Sequence, residues 1–354
     1  MPTSKMKIFS IVGARPQFIK LAPLSAALST HHQEFIVHTG QHYDYAMSQK
    51  FFDDLGIRKP DIHLETGAGN QTAQLAEMMI KLEAAMIEKK PGLIIVFGDT
   101  NSTLAGALVA AKLNIPILHI EAGLRSFNRS MPEEINRVIT DHVSKYLFAP
   151  TQTAINNLQN EGLQDAAFLT GDIMVDTMQN SLAVALAKST IADTLKLQKL
   201  PFNLLTLHRQ YNVDDSSVLL HILAQLGRIE EKIIFPVHPR TKKMLPANFN
   251  VPANIQLIDP LGYLDFIALQ YAAKRILTDS GGVQKEAYLL KKPCITLRSE
   301  TEWVETVNEN WNLLLHPSNN EMAEKIVSFK TPIVQQNVFG ENVTAKMINL
   351  INKF

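Results

Sequence analysis

The sequence predicts an α/β protein made of two doubly wound, parallel-sheet domains. Three observations lead there. Short apolar runs alternate with helix-patterned segments along the chain, and most runs end in a polar, ionisable cluster. The length of 354 residues also exceeds one ordinary hydrophobic core and suits two domains of normal size.

The alternation begins with "KIFSIVGA", a buried-strand candidate. "PQFIKLAPLSAALS" follows as a helix, started by Pro16 and expected to kink or begin a new turn at Pro23. "EFIVHTG" reads as a strand and "QTAQLAEMMIKLEAAMIEKK" as a helix with apolar residues at helical spacing. Then come the strand "PGLIIVFGDT", the helix "NSTLAGALVAAKLN", the strand "IPILHIEAG", the helix "PEEINRVITDHVSKY" and the short strand "LFAPT". A second series starts near Gly171. It runs through "DIMVDTMQNSLAVALAK", "FNLLTLH", "SSVLLHILAQLGRI", "KIIFPVH", "IQLIDP", "YLDFIALQYAA", "RILTDS", "GGVQKEAYLL" and "PCITLR", and a final helix ends the chain. Such alternation argues for parallel sheets covered on both faces. The expected domains are 1–171 and 172–340.

Composition narrows the function. The 34 basic residues cancel the 34 acidic ones, so no global field would draw nucleic acid or an anionic membrane. An anionic ligand must be held by local groups. Cys294 is the single cysteine, too few for a disulfide framework or a cysteine zinc site, and its apolar setting reads as a core thiol. The N-terminal apolar run is short and ends in Arg15, unlike a signal peptide, and no window approaches the ~18 apolar residues of a membrane span. The expectation is a soluble, cytoplasmic protein.

Open parallel sheets bind ligands beyond the carboxyl ends of their strands. Those ends carry Arg15 and Lys20, then Asp99, then Glu121, Arg125, Glu133 and Glu134. In the second series they carry His208 and Arg209, His238 and Arg240, and Asp279 to Gly282. Each has an ordinary structural use. Asp99 would cap the helix beginning at Asn101, Glu133 and Glu134 would favour any helix first turn, the arginines would be solvated, and His208 would be a satisfied core residue. The repetition at one edge argues for a site. Ser280-Gly281-Gly282 is the sharpest local signal. It joins a strand to a helix, where backbone amides and the helix dipole suit a phosphate, and Glu286 lies about a turn further on. Neither a P-loop nor a dinucleotide fingerprint is present, and no metal-ligand spacing appears.

The segments "GARPQFIK", "TGQHYD", "GDTNSTLAGALVAAKLNIPILHIEAGLR", "MPEEINR", "LTLHR", "FPVHPR" and "TDSGGVQKEAYLLKKPCITLR" together resemble the non-hydrolysing UDP-N-acetylglucosamine 2-epimerases. The likeness spans nearly the whole chain, in the family's order. It implies a GT-B-like pair of Rossmann-type domains with an interdomain cleft, the final helix 341–354 crossing back to the first domain, and a homodimer. It implies a UDP-sugar substrate, UDP binding, and no metal or nicotinamide cofactor. The family's catalytic carboxylates fall on Asp99, Glu121 and Glu133, its basic residues on Arg15, Lys20 and His208, and its ribose and phosphate contacts on Ser280, Gly281, Gly282 and Glu286. Arg209, His238 and Arg240 match motif positions, and Arg125 belongs to the same basic set.

Several positions depart from the commonest UDP-N-acetylglucosamine pattern: Gln17 for Glu, Asn70 for Arg, Tyr211 for Glu, and "ETEWVE" from Glu300 to Glu305. These forms resemble the branch acting on UDP-2,3-diacetamido-2,3-dideoxyglucuronic acid. Gln17, Tyr211 and Trp303 are expected to face the cleft, and Arg125, Arg129 or Arg298 to pair with the sugar's C6 carboxylate. A 2-epimerase needs acid–base groups on both faces of C2 and cations for the leaving diphosphate. Like charges crowded together push carboxyl pKa values apart and divide the acid from the base. Glu134 follows Glu133 directly and should point elsewhere on the helix, so its loss is expected to be the milder. Two other readings use the same features: a GT-B glycosyltransferase, which needs an acceptor, and a non-catalytic UDP-sugar-binding protein.

Overall fold

A computed structural model of the protein describes residues 5–41, 52–67, 69–197, 201–246 and 248–354. His42, Tyr43 and Asp44 of "TGQHYD" lie outside the described residues. The chain divides into two compact units, 1–177 with 337–354, and 178–336.

The first unit holds a parallel sheet of β1 (Lys7–Val12), β2 (Gln33–His38), β3 (Ile62–His63), β4 (Leu93–Phe97), β5 (Ile117–Ile120), β6 (Tyr146–Ala149) and β7 (Ala167–Leu169). Their spatial order is 3-2-1-4-5-6-7. The order reverses beside β1, so the connections from β1 and β4 diverge and open a crevice at their carboxyl ends. The second unit repeats the plan with β8 (Phe202–Thr206), β9 (Lys232–Pro236), β10 (Ile255–Ile258), β11 (Arg275–Thr278), β12 (Cys294–Thr296) and β13 (Asn312–Leu314), ordered 10-9-8-11-12-13.

Burial explains the unbroken apolar runs. Successive residues of a strand point to opposite faces, and here both faces are covered. Leu204, Ile234, Ile276 and Cys294 pack into one core of the second unit, while Leu205, Ile233, Phe235, Leu277 and Ile295 pack into the other. Cys294 is thus a core side chain, and burial pushes its thiol up to about 12. The strands β3, β7 and β13 are not legible in the sequence as strands. They have two or three residues each and lie at sheet edges, too short for a periodic signal.

The first helix, α1 (Arg15–His31), runs without interruption through Pro23, so no new helix begins there. Proline removes the N–H that would bond the carbonyl four residues back, that of Ile19. Thr177 Oγ1 replaces it, donating to the Ile19 carbonyl at 2.9 Å, nearer than its own helix's Ile173 carbonyl at 3.2 Å. The last helix (Val343–Ile351) starts on Asp176, whose carboxylate accepts the Val343 and Thr344 amides, and Phe354 stacks on Tyr146 with centroids 3.6 Å apart. Among the described residues, no helix is long and apolar enough to cross a membrane.

The Thr177 bond gives a test. Thr177→Val should cost about 1–3 kcal/mol by leaving a buried carbonyl unpaired. In a Pro23→Ala background the alanine supplies the missing N–H, and most of that penalty should vanish. Urea melts of the four proteins of this cycle check it; an equal cost in both backgrounds would show that the hydroxyl does not stand in for the proline.

Candidate active site

The strand register assembles the first cluster. Phe97 pairs with Ile120, so Gly98 and Asp99 leave the sheet beside Glu121. Gly98 has φ +62, and a Cβ there would lie 3.0 Å from both Glu121 Oε2 and Lys20 Nζ, so only glycine fits. Lys20, from α1, pairs with Glu121 in a buried ion bridge. Glu121 itself has φ +74, a left-handed backbone that is uncommon for a side chain of this kind and that clusters at functional positions.

A second, deeper layer holds that turn. Asp141, on α2 (Pro132–Val143), is fully buried under the strand ends. The His119 imidazole bridges Asp141 Oδ1 at 2.6 Å and the Gly98 carbonyl at 2.8 Å. Asp141 Oδ2 accepts the Gly123 amide at 3.0 Å and meets Arg125 at 2.7 Å. Burial opposes the charge on Asp141, but His119 and then Arg125 outweigh it and hold the carboxyl below its usual range. Arg125 also forks onto Glu161, at 2.7 and 2.8 Å, and donates to the Leu124 carbonyl.

The Arg125 side chain, expected at the ligand, is held in scaffold contacts in the structure. Its guanidinium is buried and its donors are spent on Asp141, Glu161 and a carbonyl. Arg298 is likewise buried against Glu302. Of the three arginines proposed to meet a sugar carboxylate, only Arg129 is exposed.

The two adjacent glutamates divide their roles. Glu133 is half-buried in the first turn of α2. Glu134, 1% exposed, turns inward and accepts the Ser126 and Phe127 amides, each at 2.9 Å, and Arg137 Nη1 at 2.9 Å. Burial works against its charge, but the Ser126 amide and Arg137 hold the carboxyl below its usual range. The structure makes Glu134 a loop anchor, so its loss acts on stability. Arg137 continues to Asp99 Oδ2 at 2.6 Å, and Asn136 bonds the Asp99 carbonyl at 2.9 Å. Asp99 does not cap the following helix, because Thr100 does, accepting the Thr103 amide.

In the second unit Asp279 plays the part of Asp141. Leu205 and Thr206 pair with Leu277 and Thr278, which brings the ends of β8 and β11 together. Buried Asp279 accepts the His208 and Arg209 amides and Asn212 Nδ2 at 3.0–3.1 Å, and meets His208 Nδ1 at 3.0 Å. Burial opposes its charge, but the His208 and Asn212 bonds prevail and keep the carboxyl below its usual range. The His208 side chain is 54% exposed, so it is no core histidine. Arg209 and Arg15 are half-buried. His238 caps a short helix by accepting the Arg240 amide at 3.2 Å, and Arg240 leans on Asp214 at the surface.

Ser280 caps α3 (Gly281–Leu289) through the Val283 amide. A Cβ on Gly281 would strike Glu302 Oε1 at 2.1 Å, whereas one on Gly282 would meet nothing nearer than 3.9 Å. Gly281 is thus demanded by packing, and Gly282 leaves the helix end open to an anion. Glu286 is buried and accepts Gln270 Nε2 at 2.7 Å.

Two departures expected to face the cleft are buried. Gln17 accepts the Gly13 and Ala14 amides at 2.8 and 3.1 Å and donates to the Phe97 carbonyl and Thr103 Oγ1 at 3.1 and 3.0 Å. Those four bonds brace the loop ahead of α1. Trp303 is 3% exposed, with the Lys285 ammonium 4.0 Å over its ring. Tyr211 is half-exposed, within electrostatic reach of Arg298 and Arg209, and partial burial lifts its phenol above the usual value. Among the described residues, no group of His, Cys, Asp and Glu side chains is placed to hold a metal ion.

Asp141, Glu134 and Asp279 share a pH signature. Their folded pKa values lie below the ordinary range, so their stabilisation is complete above about pH 5 and is lost as pH falls through the unfolded and then the lower folded values. Asp141→Asn should cost roughly 3–5 kcal/mol at pH 7, by leaving His119 and Arg125 under-compensated, and should flatten the acid limb of Tm against pH. A wild-type Tm profile for this variant would show that the network is not holding the turn.

The geometry has known counterparts. A family model described as UDP-N-acetylglucosamine 2-epimerase matches residues 26–351. A Methanococcus maripaludis protein named as a UDP-N-acetylglucosamine 2-epimerase homolog is 50% identical over 98% of this chain and 99% of its own length. A Pseudomonas aeruginosa UDP-2,3-diacetamido-2,3-dideoxy-D-glucuronate 2-epimerase is 46% identical over 90% of this chain and 91% of its own. The crystal structure of Methanocaldococcus jannaschii UDP-GlcNAc 2-epimerase in complex with UDP-GlcNAc and UDP superposes with a TM-score of 0.90 at 41% identity, covering 98% of this chain and 99% of that one. The two doubly wound sheets are thus GT-B-like, and the chain belongs to the UDP-N-acetylglucosamine 2-epimerase family of isomerases.

Proposed function

We propose that this enzyme inverts C2 of a UDP-2-acetamido sugar by eliminating UDP and adding it back. The observation that carries the reading is the meeting of Lys20, Asp99 and Glu121 around Gly98, each carboxylate in a different electrostatic setting. The C2 hydrogen has no neighbouring carbonyl and is not acidic in the ground state. Departure of UDP from C1 builds oxocarbenium character there and acidifies C2–H. One carboxylate takes that proton, the C1–O bond breaks with its electron pair leaving on UDP, and a 2-acetamidoglucal remains. Protonation of C2 from the opposite face and return of UDP to C1 give the epimer.

Asp99, Glu121 and Glu133 supply the acid–base groups in this scheme. Asp99 faces Arg137 and Glu121 faces Lys20, so the two differ in the cation that stabilises their charged forms. Arg15, Lys20 and His208 stabilise charge on the leaving diphosphate. The open end of α3 at Ser280, Gly281 and Gly282 receives a phosphate, Glu286 the ribose, and Arg209, His238 and Arg240 complete the nucleotide contacts. No acceptor sugar is needed, which separates this reading from a glycosyltransferase, and turnover of the UDP-sugar separates it from a binding protein.

The reaction run in deuterated water should place deuterium at C2 of the product. Unlabelled product after full turnover would rule out the elimination path. Asp99→Asn, Glu121→Gln and Glu133→Gln should each lower kcat by ~100-fold or more, the usual scale for an acid–base group.

The substrate we propose is UDP-2,3-diacetamido-2,3-dideoxyglucuronic acid, converted to its manno epimer. The name of the Pseudomonas relative and the exposed Arg129 support it. UDP-N-acetylglucosamine is the second reading, favoured by the Methanocaldococcus complex. Kinetics of both substrates side by side separate them. Arg129→Met should lower kcat/KM for the uronate at least about tenfold, the loss of one charge-assisted contact, and leave UDP-N-acetylglucosamine unaffected. A wild-type kcat/KM for UDP-N-acetylglucosamine at or above that for the uronate would overturn the choice.

A further inference from the structure

Phe127 stands out among the side chains that the scheme leaves unused. It has φ +58, a left-handed backbone that strongly disfavours a bulky residue. Its ring is 76% exposed. The fold thus bears two costs at one position: a strained backbone and an aromatic ring left in water. A glycine would remove both.

The strain is imposed by a built anchor. The Phe127 amide donates to Glu134 Oε1 at 2.9 Å, while the Ser126 amide and hydroxyl donate to Glu134 Oε2 at 2.9 and 3.0 Å. Arg137 joins the same carboxylate to Asp99 Oδ2. Phe127 and Asp99 are therefore positioned by one buried pair, Glu134–Arg137. The loop also runs between Glu121 and Glu133, at the edge of the sheet where ligands bind. Beyond the ring, Asn128 Oδ1 accepts the Ser130 amide at 3.1 Å and its hydroxyl at 2.6 Å, which closes the loop on itself.

We infer that Phe127 contacts the substrate, its ring lying against the C–H face of the hexose. An aromatic face is the complement of the apolar side of a pyranose, and a backbone fixed in advance leaves only the ring's own two torsions to order on binding. It would hold the 2-acetamidoglucal while UDP is detached, so that re-addition outruns escape. This rests on the epimerase reading above.

The test uses the full chain with UDP and UDP-N-acetylglucosamine as titrants, and turnover with whichever sugar nucleotide the enzyme converts. Phe127→Gly should melt at or above the wild-type temperature, because strain is released. It should weaken UDP-N-acetylglucosamine about tenfold, the scale of one aromatic contact, and leave UDP binding unchanged. It should also raise free glucal released per epimerisation, and Phe127→Tyr should restore both. Unchanged sugar-nucleotide affinity in Phe127→Gly would overturn the inference. So would an equal loss in Phe127→Tyr, because a ring kept on the same strained backbone would then restore nothing. The binding arm needs no turnover. If the wild type epimerises nothing, the epimerase reading fails while the role of Phe127 is still decided.

Discussion

Asp141 is the group on which the first unit's functional edge depends. It carries a charge out of water, and that is tolerable only because His119, Arg125 and the Gly123 amide converge on it. Those partners reach the strand β5, the loop after it and, through His119, the Gly98 carbonyl at the end of β4. One buried carboxylate therefore sets the relative positions of two strand ends and a helix. Asp99 and Glu121 inherit their placement from it. Removing one member leaves the others buried and under-compensated, which makes the network costly to break and stiff.

The second unit uses the same device with different residues. Asp279 gathers the amides of His208 and Arg209 and the side chain of Asn212, so the end of β8 is shaped by the end of β11. A second polar network disposes the "ETEWVE" run. Thr301 Oγ1 donates to Gln284 Oε1 at 2.7 Å, and Asn312 Nδ2 donates to the same oxygen at 3.0 Å. That fixes the run against α3, sets Glu302 over Gly281, and packs Trp303 under Lys285. The departures in this run alter how the helix end is supported, whereas Tyr211 presents a half-exposed ring.

Two of the described side chains with a left-handed backbone lie where chemistry is proposed. Glu121 and Phe127 both occupy the left-handed region, six residues apart on one loop. Neither conformation is a local preference of its residue. Partners from elsewhere in the unit hold each backbone: the Phe148 carbonyl accepts the Glu121 amide, and Glu134 accepts the Phe127 amide. A loop held this way keeps its side chains poised before a ligand arrives, which is how a site lowers the reorganisation needed during reaction.

The sequence by itself determined the alternation of strands and helices, because period and turn chemistry are local. It also located the strand ends that carry Lys20, Asp99, Glu121, His208 and Ser280, because a doubly wound sheet places ligands there. Tertiary structure decided what each of those charges faces. Arg125 and Arg129 are four residues apart in one loop and indistinguishable as text, yet one is buried between two carboxylates and the other is in solvent. Glu133 and Glu134 are adjacent, and helix rotation alone turns the second inward to Arg137. His119 and Asp141 are silent in the sequence because their partnership spans 22 residues and two elements. Pro23 reads as a break because its lost hydrogen bond is visible locally, whereas the hydroxyl that replaces it lies 158 residues from Ile19. Local geometry is written in neighbouring residues, but the partner of a buried charge or carbonyl is chosen by packing between distant segments.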